Sequence, residues 1–171
     1  VKATLAGFNR SVAIAPILAQ ARAADNGRVP TRSRAMRNAV TEVPAAASDQ
    51  ALAHFRAQFE FETDCWDVHA ALAAGEPGFV LVDARGPEAF AAGHVPGAVN
   101  LPHRKLIASK LAGYPPQTLF VVYCAGPHCN GAARAAVRLA EVQRPVKLMA
   151  GGVTGWLDEG FALARAADAA A

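Results

Sequence analysis

The chain has 171 residues, a hydrophobic fraction of 53% swollen by alanine, and a formal net charge of +3. That length suits one domain with a proper core, and no unbroken apolar run approaches the ~18 residues of a membrane span. Three cysteines (Cys65, Cys124 and Cys129) form no even framework, which argues for thiol chemistry in a reducing compartment over disulfide staples.

The charge is unevenly placed. Residues 1–45 hold seven basic residues against Asp25 and Glu42, hence +5, and the remainder holds ten basic and twelve acidic residues, hence −2. Val12–Ala24 has helical spacing but is interrupted by Pro16, and Pro44 with an Ala/Ser run marks a boundary. Such composition predicts a solvated, disordered or loosely attached extension over 1–45, ahead of a domain over 46–171 with its core at about 60–165. No nucleic-acid role is expected, because Phe8 is the only aromatic residue among these basic ones. An Arg-rich, acid-poor leader also resembles an organellar transit peptide, or sequence upstream of a true start. With no membrane segment and no cysteine framework, a cytoplasmic location is the default expectation.

From Ser48 the pattern sharpens. Ser48 reads as an N-cap, with Leu52, Phe55 and Phe59 at helical spacing after it. An extended link over 60–62 leads to Asp64 as the next N-cap, and Gly75 ends that helix. Phe79–Asp83 is an apolar run of strand length, Pro87–Ala92 gives one or two helical turns, and residues 94–101 read as a turn and short strand. A short helix over 106–111 and the turn at Tyr114, Pro115 and Pro116 precede a second buried strand, Leu119–Tyr123. An alanine-rich helix follows, then a strand over 145–149, the Gly151-Gly152 turn and a helix over 153–159. Strands alternating with helices over about 110 residues predict a parallel α/β sheet covered on both faces.

The most informative stretch is Thr118 to Ala136. Cys124 closes a strand and is followed by a turn containing Gly126, Pro127 and Gly131, then by a helix. Open α/β sheets bind ligands at this end of their strands. Loop amides and a helix N-terminus facing the thiol would favour its thiolate and hold any anion it meets. An inert Cys buried at a strand end fits the same local pattern.

The segments VLVDARGPEAFAAGHVPGAVNLP (80–102), VVYC (121–124) and AGGVTGWLDEGFAL (150–163) together resemble a single rhodanese domain. The resemblance covers roughly residues 60–165, in order, and implies a three-layer α/β fold with a five-stranded parallel sheet flanked by helices. It implies sulfurtransfer, in which a cysteine takes sulfane sulfur from a donor such as thiosulfate and passes it to a thiophilic acceptor such as cyanide or a protein thiol. Carried over by position, Cys124 is the sulfur carrier. The amides of Ala125, Gly126, His128, Cys129, Asn130 and Gly131 form the anion cradle. Asp83 and Arg85 match a supporting Asp-x-Arg element, Trp156 a structural tryptophan, and His94 a loop-ordering role. The expected partners are small-molecule or protein-thiol donors and acceptors, with no cofactor, metal, nucleic acid or membrane.

Two features depart from that family pattern. No Arg lies between Cys124 and Asn130, and the spacing to Gly151-Gly152 hints at an extra loop residue, as in related phosphatase and arsenate-reductase members. A Cys-x5-Arg phosphatase grips phosphate with an Arg where this chain has the neutral Asn130. Pro127 also removes one donor from the cradle. Cys129, five residues from Cys124, reads either as a redox partner for it or as a small residue turned away from the cradle. The leading expectation is thus a sulfurtransferase, and the alternative is a non-catalytic module sensing redox state or binding a partner through Cys124 and Cys129. Cys65, at a helix start, is expected to have a lowered pKa but no completed site.

Overall fold

A computed structural model describes residues 38–165, and the readings made for residues 1–37 lie outside the described residues. The chain divides into two compact units, Val1–Pro44 and Ala45–Ala171. In the first, Asn38 caps a single helical turn, α1 (Ala39–Glu42), with its side chain accepting from the Val40 and Thr41 amides while the Thr41 hydroxyl accepts from the Asn38 amide. This capping box satisfies donors that an isolated turn leaves open, and no residue of the turn is buried.

The second unit carries the fold. Its elements run α2 (Ser48–Phe61), β1 (Glu62–Thr63), α3 (Cys65–Ala73), β2 (Phe79–Asp83), α4 (Pro87–Ala92), β3 (Val99–Asn100), α5 (Ala108–Leu111), β4 (Leu119–Tyr123), α6 (Gly131–Glu141), β5 (Val146–Met149) and α7 (Gly152–Asp158). The five strands form one sheet in the order β1-β5-β4-β2-β3, every neighbouring pair parallel. Strands β4 and β2 lie in register from Phe79 opposite Leu119 to Asp83 opposite Tyr123. Near-continuous apolar runs are what a sheet buried on both faces requires.

Strand alternation sorts the core into two layers. Val82, Phe120, Val122 and Cys124 pack with Leu106, Leu111, Ala132, Ala135 and Leu139 on one face. Leu81, Val121 and Tyr123 pack with Cys65, Val68, Val95, Met149 and Trp156 on the other. Cys124 and Tyr123 therefore face opposite layers, Cys124 toward α6 and Tyr123 toward α3 and α7. Small alanines at 132 and 135, both buried, let α6 lie close to the sheet.

Three local expectations are corrected. Ser48 is the first helical residue, not the cap, and Ala47 precedes it with no side-chain cap bond. The expected helix over 106–111 is split into a 3₁₀ turn at His103–Lys105 and α5, because buried Leu106 takes an extended ψ of 88°. Leu52, Phe55 and Phe59 do share one side of α2, but that side is more than half exposed at each residue. Asp64, by contrast, caps α3 as the sequence suggests, its carboxylate accepting from the Asp67 amide at 2.8 Å.

Candidate active site

Seven residues, 124–130, connect β4 to the first residue of α6. Strand β4 ends at Tyr123, so Cys124 leaves the sheet at its C-terminal edge, and its side chain is only 6% exposed. Two bonds from α7 pin the loop's first carbonyls. The Val153 amide donates to Cys124 O at 3.0 Å and the Thr154 amide to Ala125 O at 2.9 Å, with the Thr154 hydroxyl donating to Ala125 O as well. In a trans peptide the N–H points opposite to the C=O, and no peptide bond among the described residues is cis. With those carbonyls held toward α7, the Ala125 and Gly126 amides point the other way, toward the layer that holds the Cys124 sulfur.

Glycines make this close approach feasible. Gly152 has φ of +58°, and a Cβ there would collide with the Cys124 carbonyl oxygen. A Cβ on Gly126 would lie 2.6 Å from the Thr154 hydroxyl oxygen, and one on Gly131 would lie 2.7 Å from Cys124 Sγ and 3.3 Å from Cys129 Sγ. Gly131 opens α6, whose preceding residue Asn130 makes no side-chain cap bond. Asn130 thus leaves the first-turn amides of this 11-residue helix to the loop, and they add partial positive charge beside the sulfurs.

The expected cradle is only partly free. The Cys129 amide donates to Gly126 O at 3.0 Å, closing a turn inside the loop, and the Gly131 amide donates to Cys129 Sγ at 3.4 Å. The amides of Ala125, Gly126, His128 and Asn130 are left without a protein acceptor among the described residues. His128 itself is exposed, beside Pro127. Gly126, His128 and Asn130 line, with both loop cysteines, a cavity of 570 Å³ that also touches Glu62 and Gly151.

Cys124 and Cys129 are joined in a disulfide, with their Cα atoms 6.2 Å apart. Of the two readings of Cys129, this is the one that pairs it with Cys124, and the reading as a residue turned away is corrected. The turn closed on Gly126 O folds Cys129 back over Cys124, a consequence of loop geometry that spacing alone does not encode. Cys65 departs from expectation in the other direction. Burial first, and then the charges of Asp64, Glu159 and Asp158, push its thiol up to about 11. Its Sγ donates to Ala150 O at 3.3 Å and Gly152 O at 3.5 Å, so it is a structural thiol under the Gly151-Gly152 turn.

Asp83 and Arg85 belong to the opposite layer from Cys124. Asp83 is fully buried, and Arg85 binds it through Nε at 3.0 Å to both carboxylate oxygens and through Nη2 at 2.6 Å. Arg85 Nη2 also donates to Gly93 O, and the Arg85 amide donates to Asp83 Oδ1. Burial works against the Arg85 charge, but the hydrogen bonds and charge of Asp83 outweigh it and raise the guanidinium pKa. Neighbouring Tyr123 is raised well above its usual range by burial first and the Asp83 charge second, and its hydroxyl accepts from the Val95 amide at 3.0 Å. The ion pair thus ties β2 to the turn before His94, while Glu88 stays exposed and takes no part. His94 orders that turn. Its backbone bridges Ala164 in both directions, its Nδ1 lies 2.9 Å from Phe90 O, and its ring stacks on Phe90. Trp156 is buried and donates from Nε1 to Ala162 O.

Arg134, the first arginine after the loop, does not line the Cys124 cavity. With His103, Arg104 and Arg138 it borders a separate 600 Å³ groove between the 3₁₀ turn and α6. Among the described residues, no three His, Cys, Asp or Glu side chains come together to hold a metal ion. No helix among them is long and apolar enough to cross a membrane. Sequence reasoning missed Thr154 and the role of Gly152. Both lie in the run after Ala150 that carries the resemblance, but only the folded chain puts them against the Cys124 loop.

A family model for the rhodanese-like domain matches residues 67–159. Among curated proteins, an HTH-type transcriptional regulator of Mycobacterium tuberculosis is 42% identical over 84 residues, and this chain spans 35% of its length. Among solved structures, a protein of Bacillus halodurans is similar with a TM-score of 0.67 and 29% identity, over 70% of this chain and 87% of the other. A thiosulfate sulfurtransferase of Pseudomonas aeruginosa shares the fold, with a TM-score of 0.54 and 24% identity over 68% of this chain and 21% of that one.

Proposed function

The chain belongs to the rhodanese-like domain family, and from that premise we propose that it is a sulfurtransferase using Cys124 as the carrier. In the reduced protein the Cys124 thiolate attacks the sulfane sulfur of a donor such as thiosulfate. Sulfite leaves with the bonding pair, and the sulfur stays as an anionic persulfide. A thiophilic acceptor, cyanide or a protein thiolate, then takes the outer sulfur and returns the thiolate.

One observation carries the reading: the Cys124 sulfur lies against Gly131 at the start of α6, with the loop's first two carbonyls turned away toward α7. A thiolate or persulfide needs N–H donors, and this arrangement supplies them beside the sulfur. Among the described residues no guanidinium borders the cavity to grip a tetrahedral oxyanion, since Asn130 stands at the loop's end and Arg134 opens onto the other groove. That favours sulfur over phosphate or arsenate as cargo.

The test is thiosulfate-to-cyanide transfer by protein first reduced with a dithiol. Wild type should form thiocyanate, and release sulfite from thiosulfate alone, and Cys124→Ser should do neither. A wild type that releases no sulfite and forms no thiocyanate would remove the proposal. The disulfide supports a second reading, a redox-sensing module within a larger protein such as the regulator above. Thiol oxidation at low peroxide without any sulfur transfer would favour it.

A further inference from the structure

We propose that Cys129 resolves the Cys124 persulfide, so that the protein releases hydrosulfide and passes through the Cys124–Cys129 disulfide on every turnover. The inference rests on the sulfurtransfer reading above and adds a product and a co-substrate to it. The product is hydrosulfide, and the co-substrate is a dithiol reductant.

The geometry points to this role through several independent features. The two sulfurs are bonded to each other in the structure, so Cys129 reaches the inner sulfur of Cys124 without any change of fold. The turn that brings Cys129 there is fixed by its own amide on Gly126 O. The Gly131 amide, at the start of α6, donates to Cys129 Sγ, so the attacking sulfur sits beside a donor and a helix N-terminus, which favour a thiolate. Gly131 has no side chain to separate them, and a Cβ there would press on both sulfurs. The third cysteine does not compete. Cys65 is buried in the other core layer, hydrogen-bonded to two carbonyls.

The chemistry closes in three steps. The Cys124 thiolate takes the sulfane sulfur of thiosulfate and sulfite departs. The Cys129 sulfur then attacks Cys124 Sγ, the bond between Cys124 Sγ and the outer sulfur breaks, and that sulfur leaves as HS⁻ with the proton of the Cys129 thiol. The two cysteine sulfurs together lose two electrons, and the outer sulfur gains two. A dithiol then reduces the disulfide by exchange, becoming a disulfide itself and restoring both cysteine thiols. A large acceptor for the outer sulfur becomes unnecessary, because the accepting thiol is built into the loop.

The experiment is a single turnover without oxygen. Protein is reduced with a dithiol, freed of it, and mixed with excess thiosulfate; sulfite, sulfide and intact mass are then followed. Wild type should release one sulfite and one sulfide per chain, stop about 2 Da lighter than the reduced protein, and resume only when dithiol is added. Cys129→Ser and Cys129→Ala should stop at the persulfide, about 32 Da heavier, with sulfide below about a tenth of the wild-type yield. Sulfite with a lasting persulfide and no sulfide from wild type would overturn the resolving role and leave sulfurtransfer standing. Equal sulfide from either variant would overturn it as well. No sulfite from any of the three proteins would overturn both readings together.

Discussion

The Asp83–Arg85 pair shows how a residue assigned to a site can serve it from the far side of the sheet. Asp83 has no exposure and Arg85 little, and together they hold Gly93 O and the amide of Arg85. A buried pair adds little over apolar residues of the same shape, but removing one partner strands the other's charge. Arg85→Met should therefore cost about 3–5 kcal/mol in urea unfolding, and adding Asp83→Asn should recover part of it. An Arg85→Met protein as stable as wild type would mean that the pair is not holding the turn. The Asp-x-Arg spacing was visible in the sequence. Its placement in the opposite layer from Cys124 follows from strand alternation once the register of β2 with β4 is known.

At the scale of elements, the site is made by α7 gripping the loop between β4 and α6. The bonds from Val153 and Thr154 fix the loop carbonyls, and Gly152 lets the helix start against the Cys124 carbonyl. Gly152→Ala meets both a left-handed backbone and a clash with that oxygen, so it should destabilise the protein by about 1–3 kcal/mol. It should also slow persulfide formation by about a hundredfold through a displaced loop. Gly160→Ala supplies the control. Its φ is +78° with nothing within 4 Å of the added Cβ, so it should lower stability in unfolding curves and leave sulfur loading alone. Equal loading rates in the two variants would show that contact with the loop is immaterial. The β4–loop–α6 unit was legible as strand, turn and helix because each part has its own period and punctuation. Its partner α7 was legible only as a helix, because no local signal marks which strand end a distant N-terminus will meet.

For the whole molecule, the groove between the 3₁₀ turn and α6 couples stability to pH. Burial, and then the charges of Arg134, Arg104 and Arg138, lower the pKa of His103 below its ordinary 6.5, with Glu141 the acidic side chain in the same groove. A group with a depressed imidazole pKa binds more protons unfolded than folded. Its contribution is intact above the unfolded value and is lost as pH falls from 6.5 to the lower folded value. Thermal unfolding between about pH 7.5 and about pH 5.5 should show a larger drop for wild type than for His103→Gln. Identical drops would place the imidazole outside the arginines' field.

The amino-acid sequence by itself determined the alternation of strands and helices, the capped start of α3, the strand end that carries Cys124 and the family of the domain. Those features rest on local periodicity, turn chemistry and contiguous motifs, which one stretch of chain can specify alone. Only the tertiary structure decided that Cys129 closes on Cys124, that Cys65 is an inert thiol rather than an activated one, and that α7 rather than the loop itself orients the first amides. The last two depend on atoms brought together from separate segments, and the first on how one loop turns, and no spacing in the chain fixes those distances or that burial.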